Sequence, residues 1–401
     1  MQYGASVECD GLGPNDGTAR LDDGVLRAED GIVLSFEADR VAAGEDPPFF
    51  GYAHADALKE AWIRVILQAL DSAGLAAVML WPWRNNAEAV AVLTTECEEF
   101  DAEHVDQACR HLAMLNVPTA WCVGLPGYAL DVYRSLKQRD HEVGLLFATE
   151  NLVGWQPERM RVQYTALARA SGLNTVCSIR PVQGRWRGRD VFYDLASQVG
   201  ARISLSKGGR QPGLAGFPFG TCQPFWPRRP AGGVYPILEI PYVLFEPGLV
   251  SPLSSVDPVV RMVRRRHGCL HVTISSDTLM RPNGVSGLRN VVTAAHECGV
   301  QFTLPERIHA FEQARRGVAA SFGEGNHGHV LGLTSEVAIS GLSVLVSGCP
   351  AEATLDGKQL DSQHVQRLGH SFTSFSISLK PRLRSVLGLQ SLGPVRESTA
   401  A

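Results

Sequence analysis

Between residues 88 and 317 the chain alternates short apolar runs of strand length with longer stretches of helical period. Strands are expected at residues 89–93, 119–123, 142–147, 175–179, 201–205, 237–244 and 270–275, and helices at 105–115, 128–139, 157–172, 190–200, 287–299 and 305–317. Alternation over so long a stretch specifies a parallel sheet or barrel with helices outside, because each crossover must carry the chain back to the same sheet end. A loop-rich insertion at 207–235 interrupts it. Ahead of this region, residues 1–50 are rich in Gly and Asp, with strand-like runs at 25–26 and 32–36. A helix over 56–73 follows, with Leu58, Trp62, Val65, Ile66 and Ala69 at helical spacing and Gly74 as its stop. After Gly317 the period becomes two, with short strands expected at 330–333, 336–339, 342–346, 353–355 and 372–379. The expected class is α/β: an N-terminal α/β segment over 1–88, a barrel-like region over 89–318 and a small antiparallel β domain over 322–390.

Composition excludes several functions. Hydrophobic residues make 45% and charged residues 19% of the 401 positions, which is ordinary for a folded chain. A formal net charge of -4 supplies no basic excess for phosphates, so no nucleic-acid partner is expected. No apolar stretch is long enough to span a bilayer, and the first ten residues lack a basic region followed by an apolar core. No membrane association is expected, and the expected location is cytoplasmic. The nine Cys include no C-x-x-C pair, which points to reduced core thiols rather than a disulfide framework or zinc ribbon.

The segment richest in chemistry is Val90-Ala91-Val92-Leu93-Thr94-Thr95-Glu96-Cys97-Glu98-Glu99, a buried strand running into carboxylates. In α/β sheets and barrels the carboxyl ends of strands carry the chemistry, and carboxylates there bind a metal or act as a base. The plain alternative is a solvated acidic loop.

What lies downstream gives that segment its context. Leu115-Asn116-Val117-Pro118-Thr119-Ala120-Trp121-Cys122-Val123 follows, then His141-Glu142-Val143-Gly144-Leu145-Leu146-Phe147-Ala148-Thr149-Glu150. Ile179-Arg180-Pro181-Val182-Gln183-Gly184 comes next, and then residues 270–277 with Phe302-Thr303-Leu304-Pro305-Glu306. In this order the pieces resemble the polysaccharide deacetylase family (NodB homology, type 4 carbohydrate esterases) over about residues 87–316. The resemblance implies a distorted (β/α) barrel. It also implies a divalent metal held by one Asp and two His, an Asp base beside it and a terminal His as acid. Carried over, Glu96 falls at the base, Glu98 at the metal Asp, Leu146 and Glu150 at the two metal His, and Ser275-Ser276 near the terminal His, while Arg180 is retained. Leu146 can ligate nothing, and Glu150 offers a hard oxygen in place of imidazole. His271 would need a register shift to stand in for the acid.

The site residues expected from this reading are Glu96 and Arg180 as catalytic groups and Glu98 and Glu150 as ligands of one divalent metal, zinc or another, if any binds. Trp186, Phe219 and Trp226 are expected to contact substrate. Trp186 lies among Arg185, Arg187 and Arg189, while Phe219 and Trp226 lie in a Pro-aromatic loop that can stack on sugar or simply pack on itself. His141 is read as fixing a helix-to-strand turn, and the basic run 261–267 as closing a helix C-terminus. Two functions follow. One is an atypical hydrolase of an N-acyl or amide bond in a carbohydrate or related small molecule, lacking the usual Asp-His-His chemistry. The other is an inactive member that binds a glycan-like ligand or a partner protein.

Overall fold

The computed structural model describes residues 7–8, 25–28, 33–35, 39–148, 155–184, 190–229, 231–325, 328–348 and 350–392. The chain forms two compact units, Met1–Ala57 with Glu88–His309, and Leu58–Ala87 with Ala310–Ala401. Residues ahead of Glu88 are thus shared between the two.

The first unit is built on a curled parallel sheet. Its strands are β1 Val90–Cys97, β2 Thr119–Val123, β3 Glu142–Phe147, β4 Ser178–Pro181, β5 Ile203–Ser204, β6 Leu238–Glu239, β7 Leu244–Phe245 and β8 Cys269–Ser275, ordered β6-β5-β4-β3-β2-β1-β8-β7. A ninth strand, β9 Gln301–Phe302, pairs with β1 at Val90 and Ala91, ahead of Leu93 where β2 begins to pair. The expected α/β architecture, a distorted (β/α) barrel, is therefore what the chain forms. One expected strand divides. Residues 237–244 become β6 and β7, because Pro241 has no N–H for a ladder and the chain changes neighbours across it. Ile240 N–H donates to Ser204 O at 2.9 Å, whereas Val243 N–H donates to His271 O at 2.8 Å. One short segment thereby joins the two edges of the sheet.

The outward side chains of β1 to β4, including Leu93, Trp121, Leu145 and Ile179, form one core with helices Ala102–Leu115, Leu130–Gln138 and Pro157–Ser171 through Val105, Leu112, Leu136, Met160 and Leu167. Asp101 caps the first of these by accepting from Glu103 N–H at 2.8 Å, and Asn116 ends it in the left-handed conformation. Helix Val256–Arg265 buries Val256, Val259, Val260 and Val263, and it ends on Arg264 and Arg265, as the basic run implied. The 207–235 insertion packs on itself and on the strand ends. Gly216 has φ +89, and a Cβ there would lie 2.0 Å from Phe50 O, so no other residue fits where Phe217 N–H meets that carbonyl at 2.9 Å.

The second unit, drawn from residues on both sides of the first in sequence, carries two antiparallel sheets. One sheet runs Ala319–Gly325, Gly328–Thr334, Arg384–Leu392, Pro350–Leu355, Lys358–Gln359, and the other Ser362–Arg367, His370–Leu379, Ile339–Val346, Val78–Leu80. Leu331, Leu333, Leu387 and Leu389 of the first and Leu342, Val344, Phe375 and Ile377 of the second share one core. The strand expected at 336–339 is a turn up to Ile339, where Val337 N–H donates to the Ser335 hydroxyl at 3.3 Å. Helix His54–Ser72 buries Leu67 but leaves Leu58, Trp62, Val65 and Ile66 exposed. No helix among the described residues is long and apolar enough to cross a membrane.

Candidate functional site

β1 is apolar through Leu93, then places Thr94 and Glu96 on one face. Register fixes their neighbours. Glu96 lies opposite Ser275 on β8 and Cys122 on β2, Thr94 lies opposite Thr273, Cys122 opposite Gly144, and Leu146 opposite Arg180. All of these side chains share the concave side of the sheet.

Glu96 is 3% exposed and Arg180 fully buried, with Arg180 Nη2 at 2.8 Å from Glu96 Oε1. Arg210, from the insertion, pairs with the same oxygen through Nη1. Burial alone would raise the Glu96 pKa, but the charges of Arg180 and Arg210 outweigh it and hold the carboxyl below its ordinary range. Arg180 Nη1 also donates to Thr94 Oγ1 at 3.1 Å and Thr273 Oγ1 at 3.0 Å. The guanidinium groups lie over aromatic rings, Arg180 at 5.1 Å from the Tyr242 centroid and Arg210 at 4.0 Å from that of Phe245.

His271 sits below this cluster. Nδ1 donates to Ile240 O at 2.8 Å, so Nε2, 3.0 Å from Thr94 Oγ1, accepts from that hydroxyl. Burial and then the Arg180 charge push its pKa down to about 3, so it stays neutral. It lies opposite Val92, and Ser275 holds the position beside Glu96, so no register shift brings His271 to the strand end.

Arg180 and Glu96 are thus brought together. Glu98 is exposed just beyond β1. Glu150 and Trp186 lie outside the described residues. Phe219 is 2% exposed within the core, with the Lys207 amine 5.3 Å from its ring, and Trp226 is half-buried with its ring 5.7 Å from that of His309. Among the described residues no three His, Cys, Asp or Glu come together to hold a metal ion. Two guanidinium charges beside Glu96 would also repel a divalent cation placed next to that carboxylate. Arg210 had no sequence signal: it stands 114 residues from Glu96, in a segment without periodicity.

The opposite end of the barrel is also polar. Thr119 N–H donates to His141 Nδ1 at 3.1 Å, in keeping with a turn-fixing role, and burial lowers that pKa to about 4. Glu142 accepts from the Ser178 hydroxyl and, at 2.9 Å, from Glu306 N–H. Burial pushes its pKa up to about 7. The native state therefore keeps a proton that the unfolded chain releases, and this contribution falls as pH rises from the ordinary carboxylate range to about 7. Glu142→Gln removes that loss, so it should gain on the parent by about 2–3 kcal/mol between about pH 5 and about pH 8. Urea unfolding of both proteins at each pH checks this, and a constant difference would contradict it. The two histidines act in the opposite sense at acid pH, so the difference between variant and parent is the informative quantity.

Cys97, Cys122 and Cys269 are fully buried free thiols, and burial raises the pKa of each.

No family model matches the chain, and no curated protein matches it. Solved structures do match. A putative polysaccharide deacetylase from Mycobacterium smegmatis is 16% identical, covering 58% of this chain and 93% of its own, with a TM-score of 0.43. Puue allantoinase is 12% identical, covering 57% and 92%, also at 0.43. A mutant of a CE4 family pseudoenzyme with restored enzymatic activity is 13% identical, covering 56% and 68%, at 0.34.

Proposed function

We propose that the chain is a deacetylase-like protein that binds a carbohydrate or related ligand at the carboxyl ends of β1, β4 and β8 without the metal-dependent hydrolysis of the family it resembles. The observation that carries this reading is the state of Glu96. A general base must present a basic lone pair near its operating pH, whereas this carboxylate is held by two guanidinium groups and its pKa is lowered. Leu146, buried and apolar where the resemblance puts a metal His, points the same way. Trp186 and Trp226 are the proposed sugar contacts.

A second reading, an atypical hydrolase of an N-acyl or amide bond, draws on Glu96 standing at the end of a barrel strand beside Arg180. It would use Glu96 as base and Glu98 with Glu150 as ligands of a divalent metal. Elemental analysis of purified protein together with acetate release from N-acetylated oligosaccharides separates the two. The first reading expects no stoichiometric metal and no acetate. One divalent metal per chain, lost in Glu98→Ala, together with acetate release, would overturn it. Leu146→His with Glu150→His should raise zinc affinity at least tenfold on either reading; no gain would show that the motif has been misplaced.

A further inference from the structure

We infer that the mouth of the barrel is built for a ligand carrying a carboxylate, held by Arg210 together with Arg180, so that the bound saccharide is an acidic one. This rests on the binding role proposed above and narrows its substrate class.

Charge is the first ground. Both guanidinium groups converge on the single Oε1 atom of Glu96, and among the described residues it is the one carboxylate paired with either of them. His271 adds no negative charge. Glu246 is buried nearby and its field reaches Arg210, but burial raises its own pKa, its oxygens accept from Ser275 N–H at 2.7 Å and from the Thr278 hydroxyl, and among the described residues it forms no ion pair with either arginine. A buried cation without a counter-charge is costly, and an anion arriving at the site removes that cost.

Unmet hydrogen bonding is the second ground. Nε of Arg180 and Nε of Arg210 are buried donors with no acceptor among the described residues. Buried donors are nearly always paired in folded proteins, and a guanidinium fork matches a planar carboxylate in two directions. Arg180 is fully buried, whereas Arg210 is 13% exposed, so Arg210 is the group a ligand meets. The rings of Tyr242 and Phe245 hold the two guanidinium planes, which limits the ordering required on binding.

Calorimetric titration with tri-galacturonate and with tri-N-acetylchitotriose tests the inference on the full chain. The acidic trimer should bind at least tenfold more tightly, and the preference should shrink as salt is raised. Arg210→Gln should abolish the preference, so that the two trimers bind with equal affinity. Glu96→Gln, which removes the competing carboxylate, should tighten the acidic trimer severalfold, with thermal shift as a second readout in case the variant is too unstable for titration. Equal affinities, or weaker acidic binding in Glu96→Gln, would overturn the acidic-ligand inference and leave the binding role standing. Binding of neither trimer would overturn both.

Discussion

Glu96→Leu is expected to destabilise the barrel unit by about 3–5 kcal/mol, the usual cost of leaving a buried charge without its partner. For a unit of this size that is a fall in Tm on the order of 10 °C. Two guanidinium groups would be left facing each other, one fully buried and the other nearly so, with no shared carboxylate between them. The sign is informative. Residues kept for catalysis often cost stability, so removing them tends to be neutral or stabilising. Differential scanning calorimetry of Glu96→Leu beside the parent reads this directly. An unchanged or raised Tm would mean that the paired geometry is not what holds Glu96, and the hydrolase reading would gain.

Gly287→Ala is expected to destabilise by at least about 2 kcal/mol, although Ala favours a helix over Gly by about 1 kcal/mol. Gly287 lies within helix Pro282–Glu297, and a Cβ there would stand 1.8 Å from Pro247 O. That atom is backbone, just after β7, so the helix or the strand end must move. The neighbouring exposed position gives the control: Ser286→Ala should gain a few tenths of a kcal/mol from propensity alone, roughly as helix scales predict. Urea midpoints for the two variants should shift in opposite directions. Parallel shifts would show that the helix does not approach Pro247 so closely.

Much of the barrel was legible because its signals are local. β2 and β3 begin and end where the apolar runs 119–123 and 142–147 do, and the helix at Pro157 starts at its proline. What escaped depended on partners distant in sequence. Val78–Leu80 pairs with Ile339–Val346 far along the chain, and no local pattern encodes that choice. β9 is two residues long, and so falls below any periodicity. The Ser362–Arg367 strand is polar and largely exposed, so it lacks the alternation that marks a half-buried strand. The candidate site divides the same way. Glu96 and Arg180 were legible as a strand-end carboxylate and a motif arginine, whereas Arg210 reaches Glu96 from an irregular loop. Phe219 shows the limit of residue type as a guide: the aromatic character suited to stacking on sugar here fills the core.

The buried cysteines bear on where such a protein can work. A thiol reacts as thiolate, and the barrel thiols Cys97, Cys122 and Cys269 are sealed from solvent, with their ionisation suppressed. They can neither register an oxidant nor exchange with glutathione while the barrel is closed. Their sulfurs behave as small apolar packing atoms, and the redox poise of the surroundings becomes a matter of indifference to this part of the fold.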